Sequence, residues 1–409
     1  MATINQNFNK LAGGYLFPEI ARRANAYQNE NPQKVLYRLG IGNTTEALTP
    51  SVIKAMAQKV EDLSKRETYS GYGDEQGDKA LREAISDFYK KREISLAADE
   101  IFISDGAKSD AANIQSLFAT DNIVAIQNPA YPVYVDTNVV SGRSSDYDQK
   151  KNQYSKFVYL SGTKENNFFS PPPKEKVDLI YLCSPNNPTG AVATKEQLQQ
   201  YVDYAKKQRA IIIFDAAYSE YISDADLPKS IYEIPGAYEC AIEINSFSKF
   251  AGFTGVRVGW SVVPKKTVVE NSVEGELNRH WFRRQVTFFN GASNISQAGA
   301  LAVLSDEGLA EAKELIGYYM ENARIIREAL ETLNLVVFGG DNAPYLWVET
   351  PNNLDSWQFF DQLLNQCQVI ATPGVGFGSE GQNYVRFSAF GHRENILAAV
   401  KSIKENLVI

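Results

Sequence analysis

The sequence predicts an α/β fold: a large domain with a mostly parallel central sheet covered by helices, and a small α+β domain built from both termini. The chain has 409 residues, which suits two or three domains. Its middle alternates short β-rich runs with amphipathic helices, and this pattern changes beyond Asn290. We therefore expect the large domain at residues 49–290 and the small domain at residues 1–48 and 291–409.

The large domain is predicted from five apolar strand candidates and the helices between them. The strand candidates are Ile101–Ser104, Ile123–Ile126, Leu179–Cys183, Ile211–Phe214 and Ala241–Ile244. One helix candidate runs from Pro50 to Leu63 behind Thr49 as N-cap, with one apolar face formed by Ile53, Met56, Ala57 and Val60. A second, Thr194–Lys207, begins with the capping-box pair Thr194 and Gln197 and should bury Leu198, Tyr201, Val202 and Ala205.

Beyond Asn290 the pattern indicates one long helix followed by a smaller α+β unit. The helix has apolar residues at alternating three- and four-residue steps: Leu309, Ala312, Ile316, Tyr319, Ala323, Ile326 and Leu330. A helix that spans both domains explains this spacing, and a coiled coil is the alternative. The remaining residues suit a strand–helix–strand–strand–helix unit.

Composition argues against several classes of function. Lys and Arg number 41 against 49 Asp and Glu, so the formal net charge is −8, and such a chain has no overall field that attracts nucleic acid or anionic lipid. The two histidines argue against a histidine-rich metal centre and a serine triad. Three scattered cysteines indicate a reducing compartment. No apolar run reaches the roughly 20 residues that span a bilayer, so we expect a cytoplasmic protein.

An acidic residue ends the most apolar strand candidate. Asp215 follows Ile211–Phe214 directly, and Tyr218 lies three residues further on. An aspartate in such a position is costly unless a cation or a strong donor meets it. Capping of the next loop is the alternative interpretation of Asp215.

A lysine follows the last strand candidate. Ser246, Ser248 and Lys249 precede a glycine-rich stretch that contains Arg257. Two hydroxyls and an arginine can converge on a phosphate, while the lysine amine can form a Schiff base. An ordinary exposed lysine in a loop is the alternative, and the Asp215 segment makes it less attractive.

Three further segments are weaker signals. Asn187 lies in a rigid turn between two prolines, which can hold its amide at a fixed point or form a plain surface turn. Small residues at 104–109 between a strand and a helix let the backbone approach a phosphate, although most such connections bind nothing. Arg386 is flanked by apolar residues in a strand, so its partner is either a substrate carboxylate or a structural acid.

Together these groups are the ones that pyridoxal phosphate requires: a lysine, a carboxylate for the ring nitrogen, donors to the phenolic oxygen and a cradle for the phosphate. They are supplied in turn by Lys249, by Asp215, by Asn187 with Tyr218, and by Ser246, Ser248 and Arg257. Their order along the chain resembles that of the fold-type I aminotransferases. We therefore expect Lys249, Asp215 and Tyr218 to be the catalytic residues of a pyridoxal-phosphate-dependent aminotransferase.

Over nearly its whole length the chain also resembles the LL-diaminopimelate aminotransferases. The similar stretches are Tyr15–Ile20, Gly71–Gly77, Ser104–Lys108, Tyr131–Asp136, Phe247–Gly255 and Phe289–Ser293. The resemblance implies a homodimer with active sites shared between subunits. It also implies transfer of an amino group from glutamate to tetrahydrodipicolinate, giving LL-diaminopimelate, a precursor of lysine and peptidoglycan, and 2-oxoglutarate.

The resemblance implies roles for individual residues as well. Tyr131 would stack on the cofactor ring, and Arg386 would bind the substrate α-carboxylate. Glu75 of the neighbouring chain would face the distal ammonium group. The cofactor would also be held by Ala107, Lys108 and Asn290. Tyr72 of the neighbouring chain would reach its phosphate. The substrate pocket would be lined by Tyr15, Gly42, Lys108, Tyr131, Asn187 and Asn290, and Asn43 stands beside it where the family pattern leads us to expect Asp.

Three other functions are compatible with parts of the sequence. A related fold-type I enzyme acting on aromatic or acidic amino acids would use the same cofactor groups. A cofactor-sensing domain of a transcription regulator would need a helix-turn-helix segment, whereas this sequence starts almost directly with the Tyr15 region, which resembles a substrate site. A catalytically dead partner subunit is disfavoured because every cofactor group is present.

Overall fold

A computed structural model of the protein describes residues 1–12 and 16–409. The helices are α1 (Leu16–Glu30), α2 (Pro50–Leu63), α3 (Lys79–Lys90), α4 (Ala107–Asn113), α5 (Val133–Val140), α6 (Lys195–Gln208), α7 (Phe247–Phe250), α8 (Glu276–Phe288), α9 (Asn294–Val303), α10 (Asp306–Glu331), α11 (Ser356–Cys367) and α12 (Arg393–Asn406). Each helix within these residues is too short or too polar to traverse a lipid bilayer.

The strands are β1 (Tyr37–Arg38), β2 (Ile101–Ser104), β3 (Val124–Asn128), β4 (Tyr147–Asp148), β5 (Gln153–Tyr154), β6 (Val158–Ser161), β7 (Leu179–Cys183), β8 (Ile211–Asp215), β9 (Ala241–Ser246), β10 (Gly259–Val262), β11 (Val337–Gly339), β12 (Tyr345–Glu349), β13 (Val369–Ile370), β14 (Thr372–Pro373) and β15 (Tyr384–Ser388). All five strand candidates are found, and three of them extend one or two residues further toward their carboxyl ends.

A seven-stranded sheet forms the centre of the large domain, in the order β2-β10-β9-β8-β7-β3-β6. Neighbours from β9 to β6 pair in parallel, whereas β10 is antiparallel to both β2 and β9. Strands β7, β8 and β9 are buried along their whole length, as expected for parallel strands covered on both faces. The predicted fold class is therefore confirmed.

The β10 strand was not predicted from the sequence. It is four residues long and follows a glycine-rich stretch, so it carries little strand pattern. Gly259 pairs with both Ser104 of β2 and Ser246 of β9. A Cβ added at Gly259 would lie 2.8 Å from the Cα of Gly106. Glycine here therefore allows the turn between β2 and α4, at Gly106, to pack closely against β10.

The chain forms a second, antiparallel sheet in the order β11-β12-β15-β14, which contacts α10 and α11 and shares its core with α12. It contains the predicted strand–helix–strand–strand–helix unit, extended by the short β11. Helix α10 spans two cores: Leu315 and Tyr319 pack in the core of the large sheet, and Ala323 and Ile326 in that of the second sheet. The two cores therefore meet along α10. The domain boundary at residue 290, inferred from the sequence, remains a prediction.

Two helix predictions can be compared directly with the structure. Helix α6 has the capping box of Thr194 and Gln197 and buries the four predicted side chains. Helix α2 has the predicted bounds, but Thr49 makes no side-chain capping hydrogen bond. The apolar face of α2 is largely exposed in the single chain, including Ile53 and Val60.

A buried carboxylate connects α3, β9 and β10 behind the site. Glu243 on β9 accepts hydrogen bonds from the Tyr89 hydroxyl, the Ser230 hydroxyl and the backbone N–H of Ile231. The indole of Trp260 donates to the Tyr89 hydroxyl at 3.1 Å. Burial raises the pKa of Glu243 to about 7. This network fixes the strand that leads into Ser246 and Lys249.

Glu243→Ala should lower the unfolding temperature by several degrees. The substitution leaves three buried donors without an acceptor, each costing about 1–3 kcal/mol. Thermal unfolding followed by fluorescence measures the change. Glu239→Ala is the control, because Glu239 forms only a partly exposed pair with Lys206 and should change stability by no more than about 1 kcal/mol. Equal unfolding temperatures for the two variants would contradict the importance of this network.

Candidate active site

A cavity of about 410 Å³ lies at the carboxyl ends of β7, β8 and β9, where open α/β sheets bind ligands. The large sheet and the second sheet both contribute to its wall. The lining residues include four basic side chains, Lys108, Lys249, Arg257 and Arg386, and one carboxylate, Asp215. The balance of formal charge is positive, so the cavity suits anionic ligands.

Asp215, the last residue of β8, is 9% exposed. Its Oδ2 accepts a hydrogen bond of 2.6 Å from the Tyr134 hydroxyl, and its Oδ1 accepts one of 3.0 Å from the backbone N–H of Ala217. Burial raises the pKa of Asp215, while these two donors and the nearby Lys249 act in the opposite direction. The carboxylate therefore has a fixed orientation in the cavity.

Lys249 lies on α7, directly after β9, and reaches into the same cavity as Asp215. Its Nζ donates a hydrogen bond to the backbone carbonyl of Gly42. Burial lowers the pKa of Lys249 to about 8, helped by the positive charges of Arg386 and Arg257. An amine with this pKa is partly uncharged near neutral pH, as a nucleophile must be.

Two hydroxyls and a guanidinium converge at one end of the cavity. The Ser246 hydroxyl donates to that of Ser248 at 2.8 Å, and Nη1 of Arg257 lies 3.4 Å from the Ser248 oxygen. Gly106 has φ +135°, and a Cβ added there would lie 2.4 Å from Nη2 of Arg257. Among the described residues, the hydrogen-bond partners of the Arg257 guanidinium are neutral: the Ser248 hydroxyl and the carbonyl of Thr254. This open, uncompensated cation and its two hydroxyls form a cradle that fits a phosphate.

Arg386 on β15 is 2% exposed, and its guanidinium pairs with neutral acceptors. Nη1 donates to Oδ1 of Asn187 and Nη2 to the carbonyl of Gly40, both at 2.6 Å. The guanidinium also lies 4.3 Å from the ring centroid of Tyr345. The sequence allowed either an acidic side chain or a substrate carboxylate as the partner of Arg386. No such acidic side chain is found among the described residues, so a ligand carboxylate can balance the charge of Arg386.

Most of the sequence-predicted site residues line this single cavity. Besides those above they are Gly42, Ala107, Lys108, Tyr131, Asn187 and Tyr218. The hydroxyl of Tyr218 lies 2.8 Å from that of Tyr345, and Asn43 also lines the wall. Tyr15 lies outside the described residues.

Three predicted residues, Tyr72, Glu75 and Asn290, do not line the cavity of their own chain. Tyr72 is 88% exposed, and the loop that carries it lies beside the first turn of α9, where Asn294 donates to the carbonyl of Gly71 at 2.9 Å. Asn290, just before α9, is also exposed. All three residues belong to one outward-facing region of the single chain.

Sequence reasoning missed Tyr134, Tyr345 and Thr254, which also line the cavity. The signal for Tyr134 was present, because it follows the predicted Tyr131 by only three residues, in the turn that begins α5. Tyr345 comes from the second sheet, and no local pattern indicates its approach. Thr254 lies in the glycine-rich stretch, whose path cannot be inferred from composition.

The residues of this cavity fit pyridoxal phosphate. An amine and a carboxylate face one space, and the hydroxyl and guanidinium cradle lies at its end, kept open by the absence of a Cβ at Gly106. The chemistry that such a set supports is exchange of an amino group on a bound aldehyde, with a lysine to move protons.

The comparisons with known proteins agree with this geometry. Residues 34–403 match the family described as aminotransferase class I and II. The structure is similar to that of L,L-diaminopimelate aminotransferase from Chlamydomonas reinhardtii, with 50% identity, a TM-score of 0.93, and coverage of 99% of this chain and 98% of that chain.

Two more distant structures share the fold. Substrate-bound BacF from Bacillus subtilis is 25% identical with a TM-score of 0.82, over 99% of this chain and 98% of that one. A protein from Methanococcus jannaschii, described as similar in its active site to kynurenine aminotransferases, is also 25% identical with a TM-score of 0.82, over 98% and 99% of the two chains. The cofactor predicted from the sequence, pyridoxal phosphate, is the one this family uses. The match across most of its length shows that the chain belongs to the class I and II aminotransferases.

Proposed function

We propose that the protein is an LL-diaminopimelate:2-oxoglutarate aminotransferase, which makes LL-diaminopimelate and 2-oxoglutarate from tetrahydrodipicolinate and glutamate. The observation that carries this proposal is the 50% identity, over 99% of the chain, with a protein described as L,L-diaminopimelate aminotransferase. We also propose a cytoplasmic location, because the three cysteines are free and buried.

The cavity residues divide the binding of the cofactor between them. Arg257, Ser246 and Ser248 would hold the phosphate, with help from the backbone at Ala107 and Lys108. Asp215 would accept a hydrogen bond from the protonated ring nitrogen, and Tyr131 would stack on the ring. Asn187 and Tyr218 would donate to the phenolic oxygen. When bound, pyridoxal phosphate supplies an aldehyde that takes up the amino group and a ring that withdraws electrons from the bond to the Cα proton.

Lys249 is the proposed base. Its amine shares the cavity with Asp215 and has a pKa lowered to about 8 by burial. Once the substrate amino group has replaced it at the cofactor, the free amine would remove the Cα proton and deliver it to the carbon that bears the transferred nitrogen. Asp215, held by two donors, would keep the ring nitrogen protonated throughout.

Substrate selection would use one residue of this chain and one of its neighbour. Arg386, whose partners are neutral oxygens, would bind the α-carboxylate common to all substrates. Glu75 of the neighbouring chain would face the distal ammonium group of diaminopimelate. An acid at that position favours a substrate with a second positive centre over an aromatic one.

A homodimer would bring Tyr72, Glu75 and Asn290 to the second active site. Exposed apolar side chains occur on neighbouring elements of this region, including Ile53 and Val60 on α2, Tyr69 and Leu301. Helix α2 packs on α9, whose first residue holds the Tyr72 loop. Apolar surface of this extent is typical of a subunit interface.

Lys249→Ala should abolish transamination and the absorbance band of the imine between lysine and pyridoxal phosphate, because the amine that forms this imine is gone. An absorbance spectrum and a glutamate-dependent assay measure both losses. Lys108→Ala is the control for loss of a cavity lysine and should keep the visible absorbance. Normal turnover by Lys249→Ala would overturn its assignment as the base.

Adding LL-diaminopimelate to the purified, cofactor-loaded protein should remove its visible absorbance, and 2-oxoglutarate should restore it. The amino group passes to the cofactor in the first step and to the oxo acid in the second. Stopped-flow absorbance compares LL-diaminopimelate with glutamate, phenylalanine and tyrosine. A higher kcat/KM for the aromatic amino acids than for LL-diaminopimelate would replace the proposed substrate while leaving the family unchanged.

Mixing Lys249→Ala with Glu75→Ala subunits should restore activity. If Glu75 serves the neighbouring site, each mixed dimer contains one intact site, and random mixing gives about a quarter of wild-type activity. Rates with LL-diaminopimelate are measured after the subunits have been dissociated and reassembled. Lys249→Ala mixed with Asp215→Ala is the matched control and should stay inactive, because both residues line the cavity of one chain. Equal rates for the two mixtures would argue against shared sites.

A further inference from the structure

The hydroxyl of Tyr134 makes a short hydrogen bond to the one carboxylate of the cavity. It donates to Oδ2 of Asp215 at 2.6 Å, and both side chains are buried. The other oxygen of Asp215 is held from its own strand end by the N–H of Ala217 at 3.0 Å. Tyr134 is therefore the side chain that fixes the carboxylate from outside β8.

The position of Tyr134 is determined by its neighbours. Its ring stacks on that of Tyr181, with centroids 5.4 Å apart and an interplanar angle of 25°. It meets the ring of Tyr131 edge to face at 5.9 Å. Its backbone carbonyl accepts a hydrogen bond from the side chain of Asn138 at 2.7 Å. The phenol is held in place before any ligand arrives.

A donor at this point has two physical effects. It offsets part of the cost of keeping a buried carboxylate ionised, since hydrogen bonds to a charged group stabilise that form. It also opposes rotation of the carboxylate, so that the remaining lone pairs point in one direction. Both effects matter to a ligand that must present an N–H to Asp215, and neither matters to a ligand without one.

We propose that Tyr134 is a positioning residue, which orients Asp215 and keeps it ready to pair with the protonated ring nitrogen of the cofactor. This inference rests on the cofactor assignment within the proposed function. Tyr131 and Tyr134 then serve one ring from the turn that begins α5, because Tyr131 would cover its face and Tyr134 would hold the acid at its edge.

Tyr134→Phe should weaken the binding of pyridoxal phosphate by about tenfold or more, as expected for loss of a hydrogen bond to a charged group. Binding is measured by titrating the cofactor-free protein and following fluorescence quenching. The probe for mechanism is 1-deazapyridoxal phosphate, in which carbon replaces the ring nitrogen. Its affinity should change by less than about threefold, because it offers Asp215 no N–H.

Tyr181→Phe is the matched control. It removes the same atom from an equally buried ring that stacks on Tyr134, but its hydroxyl does not contact Asp215. Its affinities for both cofactors should equal those of the wild type. In steady-state assays Tyr134→Phe should lower kcat about tenfold with little change in KM, since the Arg386 contacts to substrate are untouched.

A double-mutant cycle with Asp215→Ala separates positioning from packing. If Tyr134 acts through Asp215, then Tyr134→Phe should have little further effect once Asp215 is absent. Equal losses of affinity for both cofactors, or the same loss in the Asp215→Ala background, would falsify the inference. A Tyr134→Phe protein that does not fold, beside a folded Tyr181→Phe protein, would assign the hydroxyl to stability and would also overturn it.

The two proposals fail in different ways. A wild-type protein that binds pyridoxal phosphate but rejects LL-diaminopimelate contradicts the proposed substrate and leaves the Tyr134 test intact, since that test measures cofactor binding. Wild-type protein without affinity for pyridoxal phosphate contradicts both. Unchanged cofactor affinity in Tyr134→Phe, beside a wild type that uses diaminopimelate, contradicts the Tyr134 inference alone.

Discussion

The architecture of the site depends on one buried carboxylate surrounded by cations. Asp215 shares its cavity with Lys249, Arg257, Arg386 and Lys108. Burial raises the pKa of the acid and lowers that of Lys249, so both groups are moved toward their uncharged forms. The two donors on Asp215 oppose this shift for the acid, whereas Arg386 and Arg257 increase it for the amine. The result is a buried acid held by two donors beside an amine that can lose its proton.

The sheet explains how groups so distant in sequence come together. Strands β7, β8 and β9 are parallel neighbours, so their carboxyl ends meet at one edge. The first leads to Asn187, the second ends at Asp215, and the third leads to Ser246 and Lys249. The chain then returns through the antiparallel β10, and Arg257 lies two residues before that strand. This antiparallel return places the Arg257 guanidinium close to the hydroxyls of Ser246 and Ser248.

The sequence predicted the parts of this site that lie next to apolar strands. Asp215 and Lys249 could be assigned because a polar residue at the end of a buried run needs an explanation, and their order along the chain restricted the answer. Tyr345 and the neutral partners of Arg386 could not be assigned from the sequence, because their positions depend on how the second sheet packs against the first. The α2 face had the correct periodicity, but periodicity does not say whether the same chain or another covers Ile53 and Val60.

Asn187 joins the two binding tasks of the cavity. Its Oδ1 accepts from Arg386 at 2.6 Å, which orients the amide so that its N–H₂ group points away from the guanidinium. An amide in that orientation can donate to a cofactor oxygen while its carbonyl holds the arginine that would receive the substrate carboxylate. Displacement of Arg386 would therefore also reorient the Asn187 amide group that would donate to the cofactor. One side chain would then serve both groups, so the turn between the two prolines would set the distance between substrate carboxylate and cofactor ring. A substrate whose α-carbon sits elsewhere would fit poorly.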